Sequence, residues 1–141
     1  TGTYSILEIN PDGTYAEEGS DADGIRNSRK AIDRPYSGPR GVWSCSSPTQ
    51  LTATTYYFGY EPVISKLPAG SKLSKTFVTV RESQIQFTDS PKCSLFNGTQ
   101  TISFYSLNAN LRPSQIQTQV KQYPSVIEPF SGYQLANRIA T

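Results

Sequence analysis

The sequence predicts an all-β domain, a single antiparallel β-barrel, with a β-sandwich as the alternative. Three observations lead there. Several short stretches alternate apolar and polar residues, and turn residues separate them. Helix-period segments of the kind a βαβ unit needs are too few. The composition also fits: 35% of the 141 residues are hydrophobic and 17% charged, with Ser, Thr, Asn and Gln filling the gap. Half-exposed strands carry such residues, whereas charge-driven disorder and coiled coils both need many more charges.

Each element follows from its local pattern. Thr3–Ile9 is rich in strand formers, Asn10-Pro11-Asp12-Gly13 is a turn tetrapeptide, and Thr14–Glu18 returns, so residues 3–18 read as a hairpin. Residues 19–40 lack a sustained apolar period and read as a long loop with one helical turn around Ile25–Ile32. Gly41–Ser46 and Leu51–Tyr60 are strands broken at Pro48-Thr49. Thr76–Arg81 and Ile85–Thr88 alternate in opposite phase, which predicts a turn or bulge over Glu82–Gln84. Cys93–Phe96 and Thr99–Leu107 supply further strands. Residues 1–110 thus form the barrel domain. Residues 111–141, rich in Pro and Gln, read as an arm packed on it, with a last strand or helical turn over Gly132–Ile139.

Charge and residue usage exclude several functions. Lys and Arg total 13 against 11 acids, and the basic residues do not interleave with aromatics as a nucleic-acid surface requires. No apolar run approaches the roughly 20 residues of a membrane-spanning helix. The chain has no histidine, which removes Ser-His-Asp and Cys-His nucleophile systems and leaves proton chemistry to carboxylates or tyrosines. No metal or cofactor is expected. In residues 19–40 the acids Asp21 and Asp23 precede a basic run from Arg26 to Arg40. That loop either solvates itself or meets an anionic or protein partner.

Cys45 and Cys93 lie in strand-like stretches without metal-ligand spacing, which predicts one disulfide and a secreted or otherwise extracytoplasmic location. Asn97-Gly98-Thr99 is a glycosylation acceptor triplet and fits the same location.

The order of Thr3–Thr14 with its Asp-Gly turn, Gly41-Val42-Trp43 after a variable loop, and Phe96–Thr99 leading into Gln100–Tyr105 resembles small lipocalin-like (calycin-type) β-barrel proteins. The likeness runs over residues 3–107 as a pattern. It implies a ligand-holding barrel and a late arginine covering the Gly-x-Trp tryptophan, for which Arg138 is the candidate. In this chain some 40 residues precede Gly-x-Trp, whereas such proteins carry it on the first strand.

Three functions follow as expectations. The leading one is non-enzymatic capture of a small hydrophobic or amphipathic molecule. Tyr56, Phe58 and Tyr60 share one strand face, and Trp43 and Phe104 are further candidates for the same interior. The stripe also reads as plain core. The second is a cofactor-free cyclase or isomerase using Arg81 with Glu82 or Glu61; Arg81 and Glu82, adjacent in a strand, point to opposite faces. The third is a surface recognition module for protein or glycan, which would expose a flat aromatic patch.

Overall fold

A computed structural model describes residues 4–20, 25–26, 32–33, 36–60 and 75–135. Strand β1 spans Ser5–Ile9, β2 Thr14–Gly19, β3 Ile25–Arg26, β4 Ile32–Asp33, β5 Arg40–Ser47, β6 Gln50–Tyr60, β7 Lys75–Phe87, β8 Leu95–Tyr105 and β9 Lys121–Tyr133. Seven of them form one antiparallel sheet in the order β1-β2-β5-β6-β7-β8-β9, and β3 pairs with β4 in a small ribbon. The all-β expectation holds, and the sheet curls as a half-barrel. Among the described residues β1 and β9 each pair on one side only. Pro124 and Pro129 suit an edge position for β9, because proline has no N–H to offer a further strand.

The first hairpin forms as its turn residues dictate. Gly13 adopts φ +87°, a conformation costly for any residue with a Cβ. Asp12 accepts from the Thr14 N–H at 2.9 Å and from its hydroxyl at 2.6 Å.

Three local expectations are corrected. Where a helical turn is expected around Ile25–Ile32, the two described ends are extended and paired, Ile25 opposite Asp33 and Arg26 opposite Ile32; residues 27–31 lie outside the described residues. No turn or bulge lies over Glu82–Gln84: β7 runs from Lys75 to Phe87 and pairs with β6 in unbroken register through these residues. The apparent phase change has another cause. Val78 and Val80 point to the outer face, where Ala109, Leu111 and Ile116 cover them, while Ile85 points inward. Two different cores therefore claim opposite faces of one strand. Finally, residues 121–133 are no arm. They form β9 and pair along β8 from Leu95↔Tyr133 to Tyr105↔Lys121.

The main core lies on the concave inner face. Tyr15, Leu51, Ala53 and Ile85 are buried, with Leu7, Trp43, Phe87, Phe96 and Phe130 packed against them. Glycine makes room for this packing. A Cβ on Gly98 would fall 2.1 Å from the Phe130 ring, and one on Gly59 2.0 Å from the Phe77 ring. Each ring lies flat over a neighbouring strand's backbone, where only glycine leaves space.

Candidate functional site

Strand register alone places an arginine in the interior. Ile85 must face the core, and β side chains alternate, so Ser83, Arg81, Thr79 and Phe77 share its face; all four are buried. Arg81 is 6% exposed. Its partner comes from β2, across the curled sheet. Tyr15 on β2 is a core residue, so Glu17, two residues on, also points inward and is 8% exposed.

Arg81 Nη2 donates to Glu17 Oε2 in a buried ion pair. β5 and β6 lie between their strands. In a flat sheet the two backbones would be about 14 Å apart, so the contact depends on the curl and on small residues beneath it. The row through Arg81 continues to Thr55 and then Gly41. Thr55 is fully buried, and a Cβ on Gly41 would strike the Thr54 carbonyl.

Aromatic groups frame the pair. The Tyr57 ring lies 5.6 Å from the guanidinium carbon, and Tyr36 packs on Tyr57 with ring centroids 5.3 Å apart. The Tyr15 hydroxyl donates to Glu17 Oε2 at 3.4 Å. Burial, then the nearby Glu17 charge, raise the Tyr15 pKa, so the phenol stays protonated near neutrality. Beside Thr79, the rings of Phe77, Phe104 and Tyr123 meet edge to face at centroid separations of 5.6, 5.9 and 6.1 Å. Two polar atoms in this environment, Arg81 Nε and Thr79 Oγ1, are shut off from solvent and have no hydrogen-bond partner among the described residues. A buried polar group without a partner carries an energetic cost that a ligand oxygen or an internal water can remove.

The residues expected from sequence fall into separate places. Tyr56, Phe58 and Tyr60 do share a face, but it is the outer one, because Thr55 and Tyr57 take the inner. Tyr56 and Phe58 are 37% and 39% exposed, and Lys75 Nζ sits 4.2 Å from the Phe58 ring centroid. Trp43 and Phe104 face the interior, opposite Ala53 and Thr79. Trp43 also anchors the first hairpin. Its indole N–H donates to the Asn10 carbonyl at 2.8 Å and its backbone N–H to the Gly13 carbonyl at 2.9 Å.

Glu82 is exposed on the outer face, so Arg81 and Glu82 do point apart as expected and do not share one hollow. Glu61 and Arg138 lie outside the described residues. Asn97 is exposed on β8, between Gln86 and Ser131.

The expected Cys45–Cys93 bridge is not formed; both are free thiols. Cys45 sits on β5, with β6 between it and β7, and Cys93 lies in the β7–β8 turn at φ +53°.

Glu17 is the residue that sequence reasoning passed over. It stands in the return strand of the first hairpin, next to Glu18, where an acid reads as solvent-facing. The signal that could have found it is its spacing from Tyr15, which puts it on the apolar side of the strand. Among the described residues there is no cluster of His, Cys, Asp or Glu able to hold a metal ion. An open depression of about 350 Å³ is lined by Glu8, Asn10, Thr14, Tyr15, Ala16, Arg40 and Gly41; Arg81, Thr79 and Phe104 do not line it. Comparison with protein-family models, curated proteins and solved structures gives no match.

Proposed function

We propose that the domain captures a small amphipathic molecule on the inner face of its curled sheet, without chemical turnover. The observation that carries this reading is the pair of unpartnered polar atoms, Arg81 Nε and Thr79 Oγ1, set beside the Phe77, Phe104 and Tyr123 rings. A polar handle in an otherwise apolar lining is how small-molecule sites fix orientation. Entry would turn aside the Tyr57 ring that lies over Arg81. In this reading the outer aromatic stripe is not the binding surface; Arg81, Thr79 and Phe104 are. A closed barrel and secretion belong to the same proposal, with the exposed Asn97-Gly98-Thr99 triplet supporting the latter.

Native mass spectrometry of the chain incubated with undecanol tests it. A one-to-one adduct that is lost in Phe104→Ala but kept in Phe58→Ala supports inner-face capture. An adduct lost only in Phe58→Ala contradicts it.

A second reading, surface recognition of a protein or glycan, draws on the exposure of Tyr56, Phe58 and the neighbouring Val42. Weakened binding to a glycan array after Tyr56→Ala, with the fold intact, would favour it.

A further inference from the structure

We infer that the captured molecule is uncharged and offers a hydrogen-bond-accepting oxygen, such as a ketone, ester or alcohol, and that the Glu17–Arg81 pair selects against carboxylates. This rests on the capture reading above.

The charge balance at the site leads to it. Arg81 and Glu17 sum to zero and are already paired. The Tyr15 phenol adds no charge, because burial keeps its proton on. A carboxylate entering this buried space would bring one negative charge close to Glu17, where the Arg81 charge is already neutralised. An ammonium would meet Arg81. Either leaves an uncompensated charge away from water, the costliest outcome of burial.

The hydrogen-bond inventory points the same way. Arg81 Nε can only donate, and the Thr79 hydroxyl can donate as well. Both are unpartnered among the described residues. One carbonyl oxygen has two lone pairs and can accept from both without altering the charge. The apolar remainder would lie against Phe77, Phe104 and Tyr123, whose rings already pack mutually.

Isothermal titration of the intact chain at neutral pH against four probes of one chain length decides the matter: methyl nonyl ketone, undecanol, undecanoic acid and undecylamine. The ketone should bind at least about tenfold more tightly than the acid or the amine. Thr79→Val, nearly isosteric, should weaken the ketone by about tenfold and leave the acid unchanged. Glu17→Gln frees the Arg81 charge and should turn the preference toward the acid. If Glu17→Gln fails to fold, the wild-type ranking and Thr79→Val still decide. Tighter binding of the acid to the wild type overturns this inference and leaves capture standing. Binding of none of the four overturns the capture reading and this inference with it.

Discussion

Glu17 of β2 and Arg81 of β7 form a buried ion pair over two intervening strands. The pair ties the early and middle parts of the chain together, and it places a buried pair of opposite charges on the inner face of the curled sheet. Removing one partner strands the other charge in the interior. Glu17→Ala or Arg81→Ala should each destabilise by about 3–5 kcal/mol, whereas the double variant Glu17→Leu/Arg81→Met should recover most of that loss. Urea denaturation of the three variants checks this, and the non-additivity is the diagnostic part.

The glycine under Phe130 yields a packing prediction. A Cβ at position 98 would meet the ring at 2.1 Å. Gly98→Ala should therefore cost about 1–3 kcal/mol through overpacking. Adding Phe130→Leu, which removes the ring, should make the double variant less destabilised than the sum of the singles in the same denaturation measurement.

Trp43 can be separated into ring and N–H. Trp43→Phe keeps an aromatic group against the core but deletes the bond to the Asn10 carbonyl. A loss of about 1 kcal/mol is expected, as for one hydrogen bond. Faster amide exchange should appear in the Asn10–Gly13 turn and not in β7.

Acid should loosen the β7–β8 turn. Asp89 accepts from the Ser94 N–H at 2.9 Å and hydroxyl and from the Leu95 N–H at 2.9 Å, and these bonds, the Ser94 hydroxyl first, lower its pKa below the ordinary 3.8. A depressed folded-state pKa gives stabilisation that is present above the unfolded value and lost as pH falls through the folded one. Exchange protection of the Ser94 and Leu95 amides should hold above about pH 4 and decline in more acidic solution. In Asp89→Asn the acid dependence should disappear.

Much of the fold is legible in the sequence because strand periodicity and turn chemistry are local. Asn10–Gly13 announces its hairpin, and β5 and β6 run as their alternation and Pro48 suggest. What local patterns cannot carry is which face of each strand meets the core. The Tyr56, Phe58 and Tyr60 stripe is periodic on either face, and only Leu51 and Ala53, buried on the opposite phase, decide that it points out. β7 looks divided for the same reason: a strand with two cores imitates two strands. β9 is hidden by its prolines, which are compatible with an edge and not with an interior strand. Of the site, Arg81 and Phe104 are visible as candidates. The choice of Glu17 as partner is not, because a contact between residues 64 apart depends on the curl of the sheet.

The most direct test follows the Arg81 Nε–H resonance by nuclear magnetic resonance while methyl nonyl ketone is added to the intact chain. A saturable shift of that signal and of the Thr79 amide is expected, with Tyr56 and Phe58 unmoved. A titration that perturbs Tyr56 and Phe58 while Arg81 Nε–H stays fixed would contradict it.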